Sequence, residues 1–463
     1  MEKYLKYKKK YLALKKGGAA ERITNNVILF NKFIASSTLD KDEIDKLPEP
    51  IKDFFYEKGN LKTLNEDDIE SIKKKMEESK RYLSLSWFGD SLTPKILSYK
   101  QAIDLPVADH HNVIEIYNIS SIEDLRNLQA SFSNLQKITF NGSFNDVISK
   151  DDFNNLKGTD AELPNFSLKE IEFGSYFNQP LAVGVLPPGL TQLTFGRLFN
   201  NGGQPLAVGV LPPGLTQLTF GSYFNQPLDA GVLPRLTHLT FGYDFNQPLD
   251  AGVLPRLTHL TFGRLFNKSL VTGVLLPGLT HLTFGYDFNQ PLDVDVLPPG
   301  LTHLKFGGQF NNGGQPLAVG VLPPGLTHLT FGFDFNQLLA AGVLPPRLTH
   351  LTFGGQFNNG GQPLALGVLP EGLTDLTFGG FNQSLTTEVL PTTLTHLTFG
   401  YKFNNGGQPL ATGVLPAGLT HLTFSYGFNN GGQPLATGVL PAGLIKFVWP
   451  NFVHNNRLIF KPT

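Results

Sequence analysis

The phrase Leu-Thr-x-Leu-Thr-Phe-Gly, with small variations, recurs along the last two thirds of the chain. The aromatic residue near its end stands at Phe173, Phe195, Phe220, Phe241, Phe262, Phe284, Phe306, Phe331, Phe353, Phe378, Phe399, Phe424 and Trp449. Successive aromatics are 21, 22 or 25 residues apart, and every interval of 25 contains an Asn-Gly-Gly insertion such as Asn201–Gly203. Because a fixed period with insertions only at turns is typical of stacked supersecondary units, the sequence predicts a repeat solenoid.

Each unit has the pattern of one short strand followed by an extended return. Leu193 and Phe195 alternate with Thr194, and Gly196 ends the strand. The return segment, residues 179–189, is rich in proline and glycine, and proline favours extended or polyproline II backbone over helix. We therefore expect thirteen parallel strands over residues 167–450, with the sheet on the concave face and extended, polyproline-rich arms on the convex face.

An asparagine follows the second phenylalanine of each unit, for example Asn178, Asn225, Asn246 and Asn289. Buried backbone groups at a turn must be paired, and an amide side chain both donates and accepts hydrogen bonds. We expect these asparagines to lie inside and to satisfy backbone groups of the neighbouring turn.

The front third of the chain has a different composition. Residues 1–166 contain 26 of the 38 acidic and 25 of the 37 basic side chains, so the repeats are almost uncharged. Charge patterning, with Asn65 as a helix cap, predicts a mostly α-helical N-terminal segment over residues 1–82. The expected helices span 2–16, 41–56 and 66–82.

Both ends of the repeat array are expected to be capped, because a terminal unit must present a polar outer face. Residues 83–166 are predicted to form an irregular entry with degenerate repeats. Within it, Leu135–Asn145 matches the strand phrase, and Val113–Tyr117 is predicted to be an earlier strand. The tail, residues 451–463, is expected to cover the other end.

The phrase Phe-Asn-Gln-Pro-Leu at Phe177–Leu181 is followed, two residues later, by Gly-Val-Leu-Pro-Pro-Gly-Leu-Thr-x-Leu-Thr-Phe-Gly. Phe288–Leu292 repeats the first phrase. These phrases resemble the FNIP repeat family, which occurs in social amoebae and in giant viruses that infect amoebae. The opening Tyr4–Lys15 segment also resembles N-termini of giant-virus proteins. The resemblance implies a leucine-rich-repeat-like fold and carries over no catalytic activity.

In related proteins such repeats sometimes follow an F-box, a helical module that docks onto a ubiquitin-ligase core. Leu47–Ile51 has a faint similarity to the start of an F-box, although its second proline is awkward in a helix. The resemblance therefore leaves open a substrate-recognition adaptor that also binds ubiquitin-ligase components.

The third position of each predicted strand should point outward, between two inward leucines, and it is mostly histidine. It also holds Gln192, Gln217 and Asp375. The candidate partner-binding residues of this row are His238, His259, His281, His303, His328, His350, His396 and His421. Three interpretations are open: a histidine inherited by duplication that stacks on the sheet, a ligand-recognition face, and transition-metal binding. A flat row suits tetrahedral metal geometry poorly, so we predict no metal site.

Most variation between units falls on the two residues after the strand glycine, at one rim of the sheet. Aromatic residues and arginine there are types enriched in binding hot spots. Drift at an unconstrained turn is the alternative explanation. The candidate rim residues for partner binding are Tyr243, Arg264, Tyr286, Phe333 and Tyr401.

Several function classes lack sequence support. The chain has no cysteine, which excludes disulfides and thiolate chemistry. Its net charge is -1, so no strong field recruits nucleic acid. We find no Gly-x-Ser-x-Gly or His-Glu-x-x-His motif and nothing that requires a cofactor. No apolar run is long enough to span a membrane, and we expect a soluble, intracellular protein, in host cytoplasm if it is viral.

We therefore expect a non-enzymatic scaffold that holds a protein partner on the concave sheet and its rim. The ligase adaptor and a mainly structural protein are the alternatives.

Overall fold

The structure, a computed structural model, describes residues 56–57, 60–61, 95–105, 113–128, 132, 134–153 and 168–449. The chain divides into two compact units. One comprises residues 1–116 and 130–135, and the other comprises residues 117–129 and 136–463.

The first unit contains short elements. β1 (Tyr56–Glu57) pairs antiparallel with β2 (Asn60–Leu61). β3 (Lys95–Ser98) leads into α1 (Tyr99–Ile103), where the Ser98 and Gln101 side chains form a capping box. β4 (Val113–Ile119) begins in this unit and confirms the predicted strand at 113–117.

Several predictions for the termini fall on residues outside the described ranges. These are the helices over 2–16 and 66–82, the F-box-like phrase at 47–51 and the tail at 451–463. The predicted helix over 41–56 also lies there except for its last residue, Tyr56. That prediction is wrong at Tyr56, because its backbone pairs with β2.

The second unit opens with α2 (Ile122–Arg126), capped by Ser121. A run of parallel strands follows, each hydrogen-bonded to the next in chain order. They are β5 (Lys137–Phe140), β6 (Glu170–Glu172), β7 (Gln192–Thr194), β8 (Gln217–Thr219), β9 (His238–Thr240), β10 (His259–Thr261), β11 (His281–Thr283), β12 (His303–Lys305), β13 (His328–Thr330), β14 (His350–Phe353), β15 (Asp375–Phe378), β16 (His396–Phe399), β17 (His421–Thr423) and β18 (Lys446–Val448). The thirteen predicted strands are β6 to β18, and β5 extends the same sheet before residue 167.

Strand pairing places the same repeat position of every unit side by side. Leu239, Leu260 and Leu282, for example, are register partners on β9, β10 and β11. Both phenylalanines and the two leucines of the strand phrase, such as Leu236 and Leu239, are buried in each unit from β7 to β17. The ring centroids of Phe241 and Phe245 lie 3.9 Å apart within one unit, and Phe241 lies 5.7 Å from Phe262 of the next. These stacked rings form a continuous core.

The predicted asparagine contacts are present. The Oδ1 atom of Asn246 accepts the Asn267 N–H at 3.0 Å, and the Asn246 N–H donates to Asn225 Oδ1 at 2.9 Å. The side chains of this ladder are half-buried rather than enclosed. Fully buried asparagines stand instead in the Asn-Gly-Gly insertions, which form 3₁₀ turns. Asn201, for instance, accepts the Leu181 N–H and donates to Gln204 O.

The glycine that follows each strand from β6 to β16 lies against the backbone of the preceding unit. A Cβ on Gly285 would overlap the carbonyl oxygen of Gly263, and a Cβ on Gly307 would overlap that of Gly285. A carbonyl in a hydrogen-bonded stack cannot move aside like a flexible side chain. Glycine at this position therefore permits the close spacing of the units from β6 to β16, and Ser425 occupies the equivalent position after β17.

We predict that Gly285→Ala lowers stability by about 1–3 kcal/mol or more, because the added methyl group forces two backbones apart. Gly278→Ala is the matched control, since its Cβ would make an ordinary contact with Leu257 O at 3.6 Å. Urea unfolding followed by circular dichroism measures both. Equal midpoints for the two variants would show that the stack tolerates wider spacing.

Candidate interaction surface

The outward side of the parallel sheet carries the histidine row as predicted. His238, His259, His281, His303, His328 and His350 are successive register partners. Asp375 follows, then His396, His421 and Lys446. The leucine beside each histidine is buried, while the imidazoles are half-buried or exposed. The period-2 alternation of a strand therefore places all eight candidate histidines on one solvent-facing surface.

The imidazole rings stack face to face. Centroids of neighbouring rings lie 4.2–4.3 Å apart with interplanar angles of 11–13°. The stack is divided by Asp375, whose carboxylate oxygens lie 3.5 Å from His350 Nε2 and 3.5 Å from His396 Nδ1. The surface thus holds a stack of six rings, one carboxylate and a stack of two rings.

Threonines fix the orientation of the rings. The Thr258 hydroxyl lies 3.0 Å from His259 Nδ1 and also 3.0 Å from Thr237 O, and the other seven histidines have the same contacts. A hydroxyl has one proton, so the tautomer of each neutral ring decides which contact it donates to. In either case Nδ1 is occupied, and Nε2 is the ring nitrogen left for a ligand at every histidine except His350, whose Nε2 faces Asp375.

Burial lowers the pKa of four central histidines below the ordinary value of 6.5, and neighbouring imidazoles lower it further. These residues are His259, His281, His303 and His328. Removing the rings from water disfavours the charged form, and stacked cations repel one another. The centre of the row therefore resists protonation on mild acidification.

The rim beside the sheet contains ordered contacts between units. The Arg264 guanidinium carbon lies 5.4 Å from the Tyr243 ring centroid and 4.8 Å from that of Tyr286. These three residues, from successive turns after β9, β10 and β11, form what we call the Tyr-Arg-Tyr clamp. Arg197 makes a similar contact with Tyr223, at 5.4 Å from the ring and 3.2 Å from the hydroxyl.

Aromatic rim residues also lie over glycines of the next unit. A Cβ on Gly308 would overlap the Tyr286 ring, and a Cβ on Gly355 would overlap the Phe333 ring. Tyr401 reaches back to the same region and donates to Gly355 O at 3.4 Å. Sequence reasoning identified the aromatic residues but missed their pairing with glycines. The glycines Gly308 and Gly355, which stand one unit after Tyr286 and Phe333 at the same repeat position, are the sequence signal that could have revealed this pairing.

Other site types find little support in the described ranges. Within them, no three histidine, aspartate or glutamate side chains are arranged to hold a metal ion. No helix there is long and apolar enough to cross a membrane. The exposed imidazole edges and the exposed rim aromatics together form an open surface.

We predict that lowering the pH from 7.5 to 5.5 lowers the thermal midpoint. The depressed pKa values mean that the unfolded chain binds more protons than the folded chain below about pH 6.5, so stability is lost as the pH falls. His303→Gln should reduce this pH dependence, because it removes a ring from the middle of the long stack. Glutamine already occupies this position in Gln192 and Gln217.

The matched control is His421→Gln, which removes the last ring of the shorter stack. Thermal unfolding at several pH values, followed by circular dichroism, compares the three proteins. If the thermal midpoints of both variants depend on pH to the same reduced extent, the long stack does not control the pH dependence of stability.

Two solved structures are similar to this chain. Among solved structures, the giant-virus protein CroV588, described as a novel circular LRR protein, matches with 37% identity and a TM-score of 0.53. The match covers 73% of this chain and 60% of the CroV588 chain, so this chain spans less than two thirds of that structure. YopM from Yersinia enterocolitica also matches, with 17% identity, a TM-score of 0.40 and coverage of 76% of this chain and 78% of the YopM chain.

No curated protein matches the chain. The model of the FNIP repeat matches six consecutive segments, which together make up more than half of the chain. They are residues 153–198, 199–235, 234–265, 266–309, 310–356 and 357–402. With this sequence match and a leucine-rich-repeat-like parallel solenoid, the chain belongs to the FNIP repeat family.

Proposed function

We propose that this protein is a non-catalytic scaffold that binds a protein partner through the outward sheet face and the adjoining rim. The observation that carries the proposal is the pre-ordered set of exposed aromatic and arginine side chains at the rim. Tyr243, Tyr286, Phe333 and Tyr401 are each 44–51% exposed. Tyrosine, tryptophan and arginine are the residues that contribute most to protein–protein affinity.

Rigidity of these side chains supports the proposal. A side chain that is already held in place loses less conformational entropy when a partner binds. The clamp arginine is held between two rings, and Tyr286 and Phe333 each lie over a glycine. The free protein therefore presents the rim in an ordered state.

The sheet face supports protein binding by its chemistry. Its histidine and threonine rows present hydrogen-bonding groups with few formal charges, as an adaptable polar contact surface requires. Nucleic acid would instead need many cationic side chains to neutralise phosphates. An open surface also suits a protein better than a small ligand, which is usually enclosed by a pocket.

The test is affinity capture with the full chain as bait, followed by mass spectrometry. The face variant His281→Ala/His303→Ala/His328→Ala/Tyr286→Ala should bind its partner at least about 25-fold more weakly, since the loss of a hot spot costs about 2 kcal/mol or more. The control variant Val208→Ala/Val319→Ala/Arg347→Ala changes exposed residues of the return arms and should retain it. Circular dichroism confirms that both variants fold.

We also expect the captured partner to bind more weakly at pH 5.5 than at pH 7.5, because partial protonation changes the hydrogen-bonding pattern of the row. Affinity that is unchanged between these pH values would remove the histidine row from the interface. Capture of the same proteins by wild type and by the face variant would contradict the proposal as a whole.

A further inference from the structure

We infer that the Tyr-Arg-Tyr clamp is a recognition site for an oxyanion, and that its ligand is an acidic side chain of a peptide segment laid along the rim. The inference rests on the proposed scaffold function and specifies the chemistry of the partner.

The guanidinium of Arg264 has no anionic partner within the part of the chain that the structure describes. Among the described residues, no carboxylate lies within 4 Å of its nitrogens, and its side chain donates no hydrogen bond to a protein acceptor. Its neighbours are the rings of Tyr243 and Tyr286. The side chain is nevertheless exposed. Five N–H donors therefore remain available at the edge of the guanidinium plane.

The clamp restricts a side chain that is usually flexible. A free arginine loses much rotamer entropy when it binds an anion, whereas a guanidinium between two aromatic rings is already positioned. The rings interact with the faces of the cation through cation–π contacts. The planar fork of donors at its edge matches the two oxygens of a carboxylate.

Gly308 is part of this arrangement although it touches no ligand. Because it lacks a Cβ, the Tyr286 ring can lie over it. The cluster therefore extends over four successive units, from Tyr243 through Arg264 and Tyr286 to Gly308. Gly308 therefore positions the Tyr286 ring, and through that ring the Arg264 guanidinium.

A second arginine on the same rim, Arg197, sets the expected spacing of acidic side chains in the ligand. Arg197 follows β7 and is held by the Tyr223 ring and hydroxyl, three strands before Arg264. At about 4.8 Å per strand the two arginines are separated by roughly 14 Å. An extended peptide spans that distance in about four residues, at roughly 3.4 Å each. The predicted ligand is thus a segment with two acidic side chains four residues apart.

Nearby carboxylates disfavour a denser polyanion. Asp244 and Asp287 follow the two clamp tyrosines, so negative charge already flanks the turn that carries Arg264. Repulsion from these groups would oppose a continuous phosphate chain but tolerate single carboxylates spaced along the rim. An acidic peptide fits this charge pattern better than a nucleic acid.

The experiment measures fluorescence polarisation of a labelled nonapeptide of glycine and serine that carries glutamate at positions 3 and 7. The full chain should bind it at neutral pH and low salt, and the peptide with glutamine at both positions should bind at least tenfold more weakly. Arg264→Ala should weaken the glutamate peptide about tenfold, as expected for charge-assisted hydrogen bonds. Arg264→Lys should show most of that loss, because lysine keeps the charge without the planar fork.

Arg347→Ala is the matched control. It removes an exposed arginine that has no aromatic contact within the described residues, and it should bind like wild type. Gly308→Ala should weaken binding by displacing Tyr286 without changing any charge. A peptide with phosphoserine at positions 3 and 7 separates the two sources of an oxyanion. Weaker binding than the glutamate peptide supports a carboxylate ligand, and tighter binding overturns that assignment in favour of phosphate.

The inference is overturned if wild type binds the glutamate and glutamine peptides equally or binds neither. It is also overturned if Arg264→Ala and Arg347→Ala behave alike. These failures differ from failure of the scaffold proposal, which is measured by partner capture with the face variant. If the face variant loses the captured partner but wild type binds the glutamate and glutamine peptides equally, the scaffold proposal is supported. The assignment of an acidic ligand to the clamp is then wrong.

Discussion

The close approach of successive units at the strand-ending glycine is the constraint on which the rest of this structure depends. Gly263, Gly285 and Gly307 each lie against the carbonyl of the unit before, so the units cannot separate or slip without losing the strand ladder. Because neighbouring strands pair in register, each leucine stacks on the equivalent leucine of the next unit and each phenylalanine on the equivalent phenylalanine. The core is a set of columns rather than a single centre, which allows a long solenoid with few charged residues.

The same register creates the surface. A residue type that occurs once per unit forms a row on the sheet, and neighbouring members of that row change one another's pKa. Stacked imidazoles lower one another's pKa in addition to the effect of burial, whereas an isolated exposed histidine would not experience this. Asp375 interrupts the row in one unit and divides the rings into two stacks. Rim residues differ between units while the face stays nearly uniform, so the proposed scaffold would derive its specificity from the rim.

Most of the fold could be predicted from the sequence, because the period of the aromatic residues and the alternation around Leu193 report the stacked strands directly. The histidine row followed from the same alternation. The Tyr-Arg-Tyr clamp could not be predicted as a unit, since it joins residues of three turns through ring geometry. The role of the buried asparagines in the insertions could not be predicted either. Asn201, for example, accepts a hydrogen bond from the Leu181 N–H of the preceding unit, a contact that the sequence does not indicate.

The absence of cysteine from the chain permits a direct measurement of the register. His281 and His303 are register partners on neighbouring strands, whereas His281 and His328 are separated by one strand. Neighbouring strands bring Cα atoms to about 5 Å, within the range for a disulfide, and a gap of two strands does not. The double variant His281→Cys/His303→Cys should therefore cross-link on mild oxidation while His281→Cys/His328→Cys stays reduced. Equal cross-linking of both pairs, or of neither, would contradict the in-register stack.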